Sequence, residues 1–157
     1  MKKTNAMRML DSANIKYNIL EYEVDEKDLS GVSTAKKLNI NPEQMFKTLV
    51  LTNDKKEIIV CCIPVAQELD LKKVAKHFHF KNVEMIAVKQ LLNTCGYVRG
   101  SCSPIGMKKN FPTCFDETCI LFDLIYISGG TKGITLEIKQ ESLIAFLHAS
   151  LDDLCKG

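Results

Sequence analysis

Residues 47–63 read KTLVLTNDKKEIIVCCI. Two apolar runs, Lys47 to Thr52 and Glu57 to Ile63, flank the polar stretch Asn53-Asp54-Lys55-Lys56. Apolar, β-branched runs separated by turn-forming residues predict a β-hairpin with a four-residue loop. Neither run alternates between apolar and polar side chains, as a strand with one wet face would. Both faces of the hairpin are therefore expected to be covered, as in the middle of a barrel or in a sheet flanked by helices.

Upstream, Asn41-Pro42-Glu43-Gln44 is a helix-start signal. Asn caps, Pro suits the first helical position and Gln can return the cap bond. It predicts one turn that ends at Phe46 and delivers Lys47 to the strand. Earlier still, a helix over Ala6 to Asn14, capped by Thr4 or Asn5, carries the apolar stripe Ala6, Met7, Leu10 and Ala13. Tyr17 to Tyr22 reads as a strand and the acid-rich Glu21 to Asp28 as a solvated loop. Ser30 caps a short helix with Val32, Ala35 and Leu38 inward.

Downstream, Asp70 caps a helix that buries Leu71, Val74, Ala75 and Phe78. Val83 to Ile86 reads as a strand, Val88 to Cys95 as a helix and Gly96 to Pro112 as a loop. Leu124 to Ser128 and Ile134 to Ile138 form a second hairpin about the Gly-rich turn Ser128 to Gly133. A C-terminal helix is expected from Glu141 to Leu154. Helices and strands so interspersed, with two antiparallel hairpins, specify a mixed α/β or α+β domain and exclude a purely doubly wound sheet.

A chain of 157 residues fits one domain, residues 1–157. Its 46% apolar content and net charge of +2 exclude disorder, and no apolar run approaches the roughly 18 to 20 residues of a membrane helix. Met1-Lys2-Lys3 resembles the start of a secretory signal, but Asn5, Arg8, Asp11 and Asn14 break any apolar run behind it. The expected location is the cytoplasm. There the seven cysteines are expected to be free thiols, with Cys61 and Cys62 acting as small core hydrophobes. They show no C-x-x-C and no zinc-ligand spacing, so no metal or cofactor is expected. The small net charge conceals a basic segment. Leu71 to Lys109 holds Lys72, Lys73, Lys76, Lys81, Lys89, Arg99, Lys108 and Lys109 against Glu84 alone. Such a stretch is either a set of solvated lysines or a surface that steers a polyanion.

Several short motifs together resemble a known family. They are Ala6 to Leu10, Tyr22, Met45-Phe46-Lys47-Thr48-Leu49-Val50, Pro64-Val65-Ala66 and Leu69 to Ala75. Gly96-Tyr97-Val98, Ser103-Pro104-Ile105-Gly106 and Tyr126-Ile127-Ser128-Gly129-Gly130 complete the set. In order and spacing they are similar to the YbaK family of aminoacyl-tRNA deacylases, related to the editing domain of bacterial prolyl-tRNA synthetases. The branch most resembled clears cysteine mischarged onto proline tRNA. The resemblance implies a largely antiparallel, barrel-like mixed sheet surrounded by helices. It also implies tRNA as substrate, prolyl-tRNA synthetase as a partner, and a second, hydrolytic site that corrects what one binding pocket cannot separate.

On the same resemblance Lys47 is the key functional side chain. It would hold a phosphate of the terminal adenosine or polarise the ester carbonyl. Alone, it would read as a solvated lysine at a strand start. Thr48 falls on the opposite strand face, so a role for it needs a bulge. Gly100, Ser101, Gly106, Ser128, Gly129 and Gly130 are candidates for backbone contacts to substrate, or simply turn residues. Tyr22 is a candidate to close the pocket or bind the adenosine, or simply a half-buried strand aromatic. Lys72, Lys73, Lys76, Arg99, Lys108 and Lys109 are candidates for tRNA phosphates. Thr135 stands where many relatives have an aspartate, which puts substrate identity in question.

The implied mechanism is substrate-assisted: the cysteine thiol attacks its own ester, so the protein supplies positioning and charge stabilisation. No Ser-His-Asp or Cys-His arrangement is legible, and His77, His79 and His148 read as structural or solvated. Removal of alanine from Ala-tRNA(Pro), or a non-catalytic tRNA- or synthetase-binding module on the same fold, is the alternative.

Overall fold

The computed structural model describes residues 2–157; Met1, which begins the basic start, lies outside the described residues. In chain order the elements are α1 (Asn5–Ser12), β1 (Tyr17–Glu21), α2 (Gly31–Leu38), β2 (Phe46–Asn53), β3 (Ile58–Pro64) and α3 (Leu71–Phe78). They continue with β4 (Val83–Met85), α4 (Val88–Cys95), β5 (Thr113–Asp116), a 3-10 turn (Glu117–Leu121), β6 (Leu124–Ser128), β7 (Ile134–Lys139), α5 (Gln140–Leu147) and β8 (Ser150–Asp152).

The hairpin forms as its two apolar runs predict. β2 and β3 pair antiparallel from Phe46–Pro64 to Thr52–Ile58 without interruption. The Asn53 side chain closes the turn by accepting the amides of Lys55 and Glu57 at 3.0 and 2.9 Å. Thr4, Ser30 and Asp70 cap α1, α2 and α3 through their side chains.

The hairpin lies inside a five-stranded sheet of order β4-β2-β3-β5-β8, in which β3, β5 and β8 run parallel. A second sheet, β1-β7-β6, is antiparallel throughout. One parallel bridge, Met45 with Tyr126, links the two sheets. The sheets do not close on each other, so the barrel-like expectation is corrected to two open sheets.

Both faces of the hairpin are covered. Phe46, Val60 and Cys62 pack with α1, α5 and the second sheet in one core. Leu51, Ile59, Cys61 and Ile63 pack with Val74 and Ala75 of α3 in the other. Alternate residues of one strand thus feed two different cores, which is why the sequence shows a continuous apolar run.

Four local expectations are corrected. The C-terminal helix stops at Leu147, because His148 turns left-handed at φ 51° and the chain re-enters as β8 beside β5. Gln44 does not return a cap bond to Asn41; its side-chain amide donates to Leu124 O at 2.7 Å and helps hold the sheets together. Val32 and Leu71 are exposed on their helices, and Ala13 is exposed just past α1. Strand β5 and the 3-10 turn were not anticipated.

The C-terminal segment is fastened by Asp116, a buried carboxylate. It accepts the Leu154 amide at 3.0 Å and the Thr118 hydroxyl at 2.6 Å. Asp116→Ala leaves a buried amide unpaired and should lower stability by about 2 kcal/mol. The urea midpoint reads this loss, and an unchanged midpoint would show that Asp116 does not hold the tail.

Candidate functional site

A cavity of about 340 Å³ opens where β2 begins. Its floor is the run Met45 to Leu49, and Leu29, Ser30, Gly31 and Thr34 form the wall at the start of α2. Arg99, Gly100 and Cys102 form a second wall, and Tyr22, Val65, Ser128 and Thr135 complete it.

Strand pairing creates this opening. The Val65 amide donates to Met45 O at 2.9 Å and the Asn53 amide to Glu57 O at 3.2 Å. Antiparallel pairing alternates, so odd-numbered residues of β2 turn their backbone groups toward β3, and Phe46, Thr48 and Val50 turn theirs to the other edge. On that edge β4 pairs only with Leu51 to Asn53, and the Ile86 amide reaches Val50 O at 3.2 Å. Between Phe46 and Val50 no strand pairs with this edge, so by the alternation the Thr48 amide and carbonyl turn to the open side, where Thr48 lines the cavity. The cavity therefore meets consecutive residues of β2. Lys47 and Thr48 both line it without the bulge that opposite-face placement would require.

The Lys47 side chain is half-buried and makes no hydrogen bond or ion pair among the described residues, while its backbone pairs with Ile63. Burial lowers its pKa from the ordinary 10.5, with Cys155 and Glu68 acting in the opposite direction. The Thr48 hydroxyl lies 3.7 Å from Cys62 Sγ. Ser128 Oγ donates to Ser101 O at 3.0 Å and accepts the Gly130 amide at 3.2 Å. Thr135 is buried opposite Ser128 in the β6–β7 register. Gly31 is required by close approach: a Cβ there would stand 2.4 Å from Val65 Cγ1.

Of the residues singled out in the sequence, Tyr22, Lys47, Thr48, Gly100, Ser128, Thr135 and Arg99 line the cavity. Ser101, Gly106, Gly129 and Gly130 do not. Ser101 supports Ser128 from behind. Gly106 and Gly130, both left-handed, pack against Tyr97, and Gly129 O accepts the Thr4 hydroxyl at 2.7 Å. The basic residues are also divided. Lys73 and Lys76 line a different depression, Lys73 paired with Asp153 at 2.8 Å. Lys72 and Lys109 are exposed, and Lys108 Nζ reaches Asn93 O at 3.3 Å.

Sequence reading missed the α2 wall and Cys102. A Ser-Gly pair at a helix start does not distinguish a cap from a cavity wall. The Cys102 thiol is pushed up by its neighbour Cys95 and by burial, the opposite of the shift that activates a nucleophile. The other unanticipated arrangement is a Ser-His-Asp line. His77 Nδ1 lies 2.8 Å from Asp152 Oδ2, and His77 Nε2 lies 2.8 Å from Ser150 Oγ. Ser150 Oγ also donates to Thr113 O at 3.3 Å, so its hydroxyl is shared with the sheet backbone. This line ties α3 to β8 and lies outside the Lys47 cavity.

The aminoacyl-tRNA editing domain family matches over residues 27–146, which include all the walls of the cavity except Tyr22. The chain belongs to this family. A protein of Enterococcus faecalis, EbsC, named as a candidate Cys-tRNA(Pro)/Cys-tRNA(Cys) deacylase, is 41% identical over 153 residues, covering 98% of this chain and 93% of that protein. Two crystal structures share the editing-domain fold. A hypothetical protein, APE2540, superposes with a TM-score of 0.89 at 16% identity, covering 98% of this chain and all of that one. A candidate trans-editing enzyme for prolyl tRNA synthetase gives 0.81 at 18% identity, with 99% and 100% covered.

For this editing domain the burial of Lys47 has a consequence for stability. Between its lowered folded pKa and 10.5 the unfolded chain binds more protons, so stability contributed by this group rises with pH across that window. Below the window its charge is a cost to folding. Lys47→Met keeps the aliphatic stem and removes the charge, and at pH 7 it should melt no lower than the parent. A clear drop in Tm would show that the ammonium stabilises the fold.

Proposed function

We propose that this chain removes cysteine from mischarged Cys-tRNA(Pro) by cleaving the ester between the amino acid and the terminal ribose. The observation that carries the reading is Lys47, a half-buried lysine without an ion pair that lines a cavity at an uncovered strand edge. The relative bearing a Cys-tRNA deacylase name supports the choice of amino acid. In the step proposed, the substrate thiol sulfur attacks the ester carbonyl carbon. The C–S bond forms, the ester C–O bond breaks, and the thiol proton ends on the ribose oxygen. The tRNA and a cyclic thiolactone leave. Lys47 stabilises the developing oxyanion or the adjacent phosphate, and the Thr48 backbone offers an amide at the same edge. No protein nucleophile is used.

Arg99 at the cavity takes phosphates of the acceptor end, with Lys108 and Lys109 further along the same loop and Lys72, Lys73 and Lys76 of α3 more remote. Gly100 offers backbone at the cavity wall, and Tyr22, which also lines the cavity, closes over the substrate. A prolyl-tRNA synthetase partner and a cytoplasmic location belong to the same reading; no described helix is long and apolar enough to cross a membrane.

Cys-tRNA(Pro) and Ala-tRNA(Pro), each incubated with the parent and with Lys47→Ala, test it. The cysteinyl ester should be cleaved, the alanyl ester at least about 100-fold more slowly, and Lys47→Ala should lose about 100-fold or more on cysteine. Equal cleavage of both esters would remove the thiol-assisted step. Full activity in Lys47→Ala would remove the role of Lys47. No cleavage above buffer would leave a tRNA- or synthetase-binding module.

A further inference from the structure

The cavity is unusual in the charges it lacks. Among the described residues its lining includes two cations, Lys47 and Arg99, and no Asp or Glu. The acids near it in sequence, Glu21, Glu23 and Asp28, are exposed and do not line it. Asp28 is occupied by the Ser30 amide at 3.1 Å. Glu68, which acts on Lys47 from outside the lining, pairs with Lys156 at 3.3 Å. Several neutral oxygens are committed as well; the Thr48 carbonyl and the Tyr22 and Thr135 hydroxyls remain, and none of them carries a charge. Ser30 Oγ accepts the Ser33 amide at 3.2 Å, the Thr34 hydroxyl donates to Ser30 O at 3.3 Å, and Ser128 Oγ is held by Ser101 and Gly130.

An α-ammonium entering this cavity meets no opposite charge and two like charges. A site that selects a free amino acid ester by its ammonium needs an acceptor aimed at that nitrogen, and a carboxylate is the strong one. A phosphate and an ester carbonyl, by contrast, both suit a cavity with Lys47 and Arg99 on its walls.

We infer that the cavity holds its substrate by the ester, the adenosine phosphate and the thiol-bearing side chain, with no ionic hold on the α-amino group, so that thiol-bearing acyl esters without that group are also cleaved. This rests on the deacylase reading above and names the substrate class more broadly: thiol-bearing acyl esters of a tRNA 3′ end. The amino group is then a passenger, and selection against other aminoacyl-tRNAs falls on the side chain and the tRNA.

The test compares the same proline tRNA acylated with cysteine or with 3-mercaptopropionate, which keeps the thiol and ester and lacks the amine. The amine alters the intrinsic lability of the ester, so each enzymatic rate is divided by the rate in buffer alone. The two enhancements should agree within about tenfold. Loss of a charge-assisted contact typically costs roughly 10- to 100-fold. An enhancement for mercaptopropionate more than about tenfold below that for cysteine would overturn the inference and leave the deacylase reading intact. Absence of enhancement for both esters would overturn the deacylase reading and the inference with it.

Discussion

Strand β2 is paired along its whole length on one side and only at its far end on the other. The features of the site follow from this imbalance. The chain leaves β4 at Met85, and α4 starts at Val88, so β4 has no residues to continue the ladder past Leu51. At the opposite end, the bridge from Met45 to Tyr126 ties the strand start to the second sheet. The gap between these ties leaves backbone groups that folding does not pair, and buried unpaired backbone is costly. A water-filled or substrate-filled cavity is a way for such a gap to persist. Helix α2 and the Arg99–Cys102 loop then enclose it without covering the edge.

The same geometry sets the electrostatics. Lys47 must leave β2 beside this edge, where burial weakens its hold on a proton and Glu68 offsets this without forming an ion pair. A charge kept half-buried without a partner opposes folding, so its placement favours a functional explanation over a structural one. The surrounding thiols fit a packing role. Cys62 is buried with its pKa pushed up to about 12 by desolvation, and Cys61, Cys114 and Cys119 are likewise buried in or beside the two cores. The reactive sulfur required by the proposed chemistry is supplied by the substrate.

Much of the fold was legible because the signals are local. The caps Thr4, Ser30 and Asp70, the Asn53 turn and both hairpins are set by residues within a few positions of one another. The elements that were missed depend on distant partners. β5 and β8 are short strands stabilised by parallel neighbours far away in sequence, and the apolar content of Leu151 and Leu154 mimics the continuation of α5. The site was partly legible. Lys47, Thr48, Tyr22, Gly100, Ser128 and Thr135 do converge. What a sequence does not display is which edge of a strand stays open. Thr48 therefore looked misdirected although it reaches the cavity, and Gly106, Gly129 and Gly130 lie outside the lining, close to Tyr97 and Ile134.

The central claim is that the open edge of β2, with Lys47 beside it, is where the acylated 3′ end of tRNA is held. A crystal structure with a non-hydrolysable, amide-linked 3′-cysteinyl adenosine monophosphate tests this most directly. The account predicts the acyl group against residues 46–49, with Lys47 Nζ within hydrogen-bond distance of the acyl carbonyl or the phosphate. Density for the ligand at the Lys73–Lys76 surface or the Ser150–His77–Asp152 line, with the Lys47 cavity empty, would contradict it.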